Sequence, residues 1–156
     1  MNIQDYLLDQ ADKDWAALLS GWDLPETFEL WMVNRFGDAF LVFEDGSVHV
    51  LDLGACALNR VADNREDFAR KAANSAADWF MMPLTDACVA SGMIPGASQC
   101  YSFKVPPVLG GAYELANVTL TDLAVAYSFA ADIHPQVKDL PDGTKIKVVI
   151  GKKPGE

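Results

Sequence analysis

Ala39-Phe40-Leu41-Val42-Phe43-Glu44-Asp45-Gly46-Ser47-Val48-His49-Val50-Leu51-Asp52-Leu53 is the stretch on which the fold depends. Two runs of aliphatic, aromatic and β-branched residues flank Asp45-Gly46, and glycine accepts the positive φ that a tight connection between antiparallel strands demands. The stretch therefore reads as a β-hairpin. Side chains alternate between faces along a strand, so Val48, Val50 and Asp52 share one face while His49, Leu51 and Leu53 share the other. Apolar residues fall on both faces, so both need cover, and helices packed against the sheet are the expected cover. The fold class that follows is α+β, a single domain over residues 1–150 whose antiparallel sheet is built on a central hairpin. Residues 151–156 are expected to form a disordered tail.

A chain of 156 residues can bury one sizeable core without disulfide or metal staples. Its apolar runs fall well short of the ~20 residues that a membrane helix needs, and Met1-Asn2-Ile3-Gln4-Asp5 lacks the basic flank and apolar core of a signal peptide. A cytoplasmic protein with no membrane partner is expected. Cys56, Cys88 and Cys100 are odd in number and widely spaced, which suits reduced, buried thiols. The net charge of −10 is uneven: residues 1–70 hold fourteen acids against five bases, and the remainder eight against seven. Such a field repels nucleic acid and speeds encounter with a basic partner, although acidity also serves solubility alone.

Upstream of the hairpin, Ile3, Tyr6, Leu7, Leu8, Trp15, Leu18 and Leu19 recur mostly at spacings of three and four, which predicts an amphipathic helix from Ile3 to Leu19 ended by Gly21. Asp9 and Asp12 would lie on its outer face. Phe28 to Asn34 is a short apolar run assigned to a strand. Downstream, Cys56 to Val61 predicts a further meander strand, and Asp63-Asn64-Arg65-Glu66 has the Asp and Glu spacing of a helix start. Phe68, Ala72, Ala76, Trp79 and Phe80 mark one face of that helix, and Pro83 interrupts it before a second piece over Leu84–Ala90. Cys100 to Val105 alternates as a half-buried strand.

Pro106-Pro107 ends that strand, and Gly110-Gly111 frees the backbone beyond it, so Pro106 to Tyr113 is a loop shaped by packing. From Asp122 to Lys138 two templates compete. Leu123, Val125, Tyr127 and Phe129 alternate as in a strand, whereas Leu123, Ala126, Tyr127, Ala130, Ile133 and Val137 fit a helix capped at Thr121-Asp122, and the helix is favoured. Leu140-Pro141-Asp142-Gly143 predicts a turn, and Ile146, Val148 and Ile150 an edge strand.

Chemical signatures are sparse. His49 and His134 have no Cys or His at a zinc spacing, so no metal site is expected. No Ser or Cys occupies a nucleophile elbow, and no Lys-Ser or Lys-Thr follows Gly110-Gly111, so neither catalytic residues nor a cofactor are assigned. His49 and Cys56 lie on adjacent strands, where packing is the better explanation than a thiolate pair. Trp15, Trp22, Trp31, Trp79 and Phe80 are core or groove residues before they are a ligand box.

The run Gln99-Cys100-Tyr101-Ser102-Phe103-Lys104-Val105-Pro106-Pro107-Val108-Leu109-Gly110-Gly111, then Asn117, then Asp122-Leu123-Ala124-Val125-Ala126-Tyr127-Ser128, resembles the carboxy-terminal domain family of type VI secretion immunity proteins and its stand-alone relatives. Gly37-Asp38-Ala39-Phe40, Asp45-Gly46-Ser47-Val48 and Asp52 are similar to the hairpin of that family, which extends the resemblance to about residues 36–150. The family commonly has Ala-Leu-Ala-Leu-Gly-Gly where this chain has Pro106-Pro107-Val108-Leu109-Gly110-Gly111.

The resemblance implies a non-enzymatic cytoplasmic protein-binding module, an immunity protein that inhibits a secreted toxin such as a nuclease by direct binding. Tyr101, Pro106, Gly110 and Gly111 are then fold determinants and carry over no active site. A basic toxin is the implied partner, with Asp9, Asp12, Glu44 and Asp45 as candidate contacts; nucleic acid is not an expected partner, and a homo-oligomer is compatible with the sequence. Two other readings stay open. One is a small-molecule-binding or hydrolytic domain with a pocket between Trp31, the Gly110-Gly111 loop and the helices; the other is a structural subunit without ligand.

Overall fold

The computed structural model describes residues 2–140. The expected Pro141-Asp142-Gly143 turn, the strand over 146–150 and the tail over 151–156 lie outside the described residues. Strands β1 (Phe28–Val33), β2 (Ala39–Phe43), β3 (Val48–Asp52) and β4 (Ala57–Ala62) form an antiparallel meander in sequence order. The expected β2–β3 hairpin forms, with a register that runs from Ala39 opposite Leu51 to Val42 opposite Val48. At its turn Gly46 has φ +87°, its N–H donates to the Phe43 carbonyl at 2.9 Å, and the Phe43 N–H donates to the Ser47 carbonyl at 2.9 Å. Asp45 stiffens the turn by accepting from both the N–H and the hydroxyl of Ser47.

Both faces of this sheet are covered, as the alternation required. Val48 and Val50 join Phe40, Val42, Phe68 and Phe80 in one apolar cluster under helix α2 (Arg65–Trp79). Leu51 joins Val33, Leu41, Leu123, Tyr127, Ala130 and Ile133 in another, under helix α4 (Leu123–Val137). Two more α-helices, α1 (Trp15–Leu18) and α3 (Met82–Ala90), a second, two-stranded sheet of β5 (Gln99–Phe103) and β6 (Val118–Asp122), and three 3-10 turns, Ile3–Tyr6, Pro107–Leu109 and Leu115–Asn117, complete the described elements. A third cluster of Phe36, Cys88, Tyr101 and Val118 joins α3 to that second sheet. The three thiols are free and buried.

The helix predicted from Ile3 to Leu19 does not form. Ile3–Tyr6 is one 3-10 turn, Leu7 bridges to Asn34, the Leu8 N–H donates to the Val33 carbonyl at 2.8 Å, and α1 is only four residues long. The side chains of Asn2, Asp9 and Asp14 each accept from a nearby backbone N–H, on Gln4, Ala11 and Ala17 respectively. Short polar side chains thereby compete with helical hydrogen bonds, while the open edge of β1 offers the backbone other partners. Spacing alone registers neither effect.

Three helix boundaries also sharpen. At the start of α2 the cap is Asn64 rather than Asp63: Asn64 accepts from the Asp67 N–H at 2.8 Å, and the Asp67 carboxylate returns to the Asp63 N–H at 2.9 Å. Between α2 and α3, Met81 takes φ +51° and Pro83 sits in the first turn of the new helix, so the break comes where Pro83 placed it. The segment after Asp122 is a helix, and it continues through Pro135 to Val137. Asp122 stands at its N-cap position without a side-chain hydrogen bond, because the chain enters the helix directly from β6 and the Leu123 N–H donates to the Ser98 carbonyl at 2.9 Å. Strand β6 itself is an addition to the sequence reading.

Candidate functional site

The connection between β1 and β2, Asn34-Arg35-Phe36-Gly37-Asp38, is where most elements meet. Asn34 is fully buried and fully bonded: its amide oxygen accepts from the N–H groups of Phe36 at 2.9 Å and Asp38 at 3.0 Å. Its amide nitrogen donates to the Trp79 carbonyl and to Asp38 Oδ2, both at 2.9 Å. Gly37 has φ +82°, so the turn favours glycine for its conformation, and a Cβ there would also push on Leu53 Cδ1, 2.8 Å away. The Gly37 carbonyl accepts from the Tyr127 hydroxyl, the Arg35 carbonyl from the Tyr101 N–H at 2.9 Å, and Asp38 Oδ1 from the Leu53 N–H at 2.9 Å. Helices α2 and α4, strand β5 and Leu53, the residue that follows β3, are thus bound to one five-residue turn.

Asp38 also lines a cleft of about 800 Å³. Its walls come from Trp79, Met81 and Leu84 around the α2–α3 break, from Phe103 of β5, and from Val125 and Phe129 of α4. Asp52, at the end of β3, shares the cleft, and Tyr113 lines it with a ring edge-on to Phe103, the centroids 5.3 Å apart. The electrostatics follow from burial. Asp38 is pushed up to about 8, first by desolvation and then by the charge of Asp52, against the stabilising hydrogen bonds from Asn34 and the Leu53 N–H. Asp52 is raised by desolvation, held back by the N–H groups of Ala55 and Gly54. The Tyr113 hydroxyl is pushed up to about 12 by desolvation and by the fields of Asp52 and Asp38.

The cleft wall beyond β5 is the proline- and glycine-rich loop. Pro106 accepts from the N–H groups of Leu109 at 2.8 Å and Gly111 at 3.1 Å, and Gly110 has φ +96°. Asn117 clamps the loop from outside, accepting from the Val105 N–H at 3.0 Å and donating to the carbonyls of Val105 at 2.8 Å and Ala112 at 2.9 Å. A Cβ on Gly111 would lie 1.7 Å from the Val105 oxygen, so the backbones meet there at a distance only glycine permits. Tyr101 is fully buried, and its hydroxyl donates to the Met93 carbonyl.

The four acidic candidates fall on two separate elements, and none lines the cleft. Glu44 and Asp45 are exposed at the hairpin tip, where Asp45 accepts from Ser47 and stands 4.0 Å from Arg60. Asp9 and Asp12 are exposed, but on a turn beside the β1 edge rather than on a helix face, and Asp12 has φ +60°. Asp12 lines a second groove, of about 640 Å³, with Asp14, Asp122 and Asp132. The pocket expected between Trp31 and Gly110-Gly111 is not the cleft observed. Trp31 instead packs on Phe68 at 5.0 Å between ring centroids, beneath the Arg65 guanidinium at 4.9 Å, while the loop contributes Pro106 and Tyr113 to the cleft from its two ends.

Asn34, Asp38, Asp52 and Tyr127 were not singled out as site residues from sequence. An Asn and a Gly-Asp pair between two apolar strands signal a turn, but burial of that Asp beside a second one depends on elements far along the chain. No curated protein and no solved structure matches the chain. Residues 62–134, from the end of β4 through most of α4, do match a family model, that of T6SS immunity protein Tdi1, C-terminal, and it is the immunity family that Gln99–Gly111, Asn117 and residues 122–128 resemble.

Proposed function

We propose that the chain is a non-enzymatic immunity protein of type VI secretion that acts in the cytoplasm, neutralising a cognate toxin by binding it directly. The family match over residues 62–134 carries this reading. Charge supports it: a nuclease toxin needs a basic surface for its substrate, and a partner of net charge −10 with its acids concentrated in residues 1–70 complements that surface. Asp9, Asp12, Glu44 and Asp45 are the proposed contacts, and the groove holding Asp12 adds Asp14, Asp122 and Asp132. Among the described residues no helix is long and apolar enough to cross a membrane.

The test is native purification of the tagged chain from its own cells, with mass spectrometry of whatever accompanies it and an assay of the accompanying protein's toxicity. A basic toxin whose activity the chain suppresses supports the reading. A homo-oligomer alone, or a chain carrying only a metabolite, overturns it.

A further inference from the structure

We propose that the cleft beside Asp38 and Asp52 seats one cationic side chain, a lysine or an arginine, supplied by the protein partner; this deepens the protein-binding reading above and rests on it. Three observations converge. Asp38 is 8% exposed, and among the described residues neither it nor Asp52 has a Lys, Arg or His within ion-pair distance, whereas Asp67, equally buried at 8%, pairs with Lys71 at 3.0 Å and Arg70 at 3.1 Å. An aspartate this buried either pairs with a cation or keeps its proton, and Asp38 keeps its proton until a cation enters the cleft. Lys104 lines the same cleft, yet it makes no ion pair with either acid.

The second observation is the wall. Phe36, Phe103, Tyr113 and Phe129 bring aromatic surface to the cleft, where it accepts an aliphatic stem or the flat face of a guanidinium. The third is the rim: Val125 and Tyr113 line the cleft while 58% and 57% exposed, an apolar margin suited to the backbone around an inserted side chain. At about 800 Å³ the cleft has room for one long side chain and part of the segment that bears it. Asp38 is already held by Asn34 and Leu53, so little reorganisation accompanies insertion. Asp52 accepts from the Ala55 N–H at 3.0 Å, so turn-organising roles account for the hydrogen bonds of both acids, but not for the placement of the two carboxylates in one cleft with aromatic walls.

The experiment titrates the full chain with Nα-acetyl-arginine methylamide, and in parallel with the uncharged citrulline analogue, following backbone amide shifts by NMR. Saturable shifts in the millimolar range are expected around residues 36–38, 52–54 and 103–113 with the arginine probe, and not with citrulline. Asp52→Asn, checked for an unchanged fold by its own amide spectrum, should weaken arginine binding by about tenfold or more, because a charge-assisted contact is lost. Equal response to citrulline, absence of saturable shifts, or unchanged binding by Asp52→Asn overturns the proposal. Putrescine or spermidine binding far more tightly than the arginine probe also overturns it, assigning the cleft to a free amine. These outcomes are read without any toxin, so failure to isolate one counts against the immunity reading and leaves the cleft to be decided by the probes.

Discussion

Gly46 and Gly111 are glycines for different physical reasons, and the difference is measurable. Gly46 sits at φ +87° with open space around its Cα, so Gly46→Val should cost on the order of 1 kcal/mol or more through backbone strain alone. A methyl group on Gly111 must instead displace the Val105 carbonyl, 1.7 Å away, and with it the Asn117 clamp, so Gly111→Ala should cost about 3 kcal/mol or more. Urea midpoints of the two variants check the order; an unchanged midpoint for Gly46→Val would remove the basis for the turn. Asp38 makes a second residue-scale prediction. Its folded-state value of about 8 lies above the ordinary 3.8, so between those values the native state binds more protons than the unfolded chain, and stability falls as pH rises through the window. Asp67 acts in the opposite sense: the Asp63 N–H, then Lys71 and Arg70, hold it at about 2, and its stabilisation is lost as pH falls from about 4 towards 2. The urea midpoint should therefore be highest near pH 4 to 5 and decline towards pH 8, and Asp38→Asn should flatten that decline. A wild-type midpoint independent of pH from 5 to 8 would contradict the assignment.

Among the elements, α2 shows how a boundary is set by one side chain. Asn64 and Asp67 satisfy the amides that open the helix, and Asn64→Ala should cost about 1 kcal/mol, read as a lower urea midpoint with little change in the native helical signal. Asp63→Ala, by contrast, should cost less, since its side chain pairs only with Arg60 at the exposed surface. A larger loss for Asp63→Ala would restore Asp63 as the cap. In α4 the competition between templates was decided by which residues find cover. Leu123, Ala126, Tyr127, Ala130 and Ile133 are buried together, while Val125, which a strand would place beside Tyr127, is 58% exposed. Strand β6 escaped sequence reading because Val118–Asp122 is short and runs into α4 without a punctuating glycine or proline.

At the scale of the whole molecule, the acidic field is a prediction about rates. Changing Asp9, Asp12, Glu44 and Asp45 together to Asn or Gln should slow association with a basic toxin and flatten its dependence on salt, leaving dissociation nearly untouched, because long-range attraction acts before contact. Stopped-flow association at several ionic strengths checks this, and equal rates at low salt would reduce the field to a solubility device. Asp45 should contribute least of the four, since it is already engaged by Ser47 and faces Arg60. What the sequence determined by itself was local: the Asp45-Gly46 hairpin and its two covered faces, the break at Pro83, the Pro106–Gly111 loop and the charge. Each depends on backbone sterics, side-chain alternation or a count, and none needs a distant partner. The tertiary structure alone decided that the first segment lines the β1 edge instead of coiling, and that Trp31 packs under Arg65 away from the cleft. It alone also buried Asp38 and lined one cleft with Asp38, Asp52 and the aromatic residues of β5 and α4. Those outcomes turn on which element covers which surface, and burial of a polar group is a property of everything packed around it rather than of its neighbours in the chain.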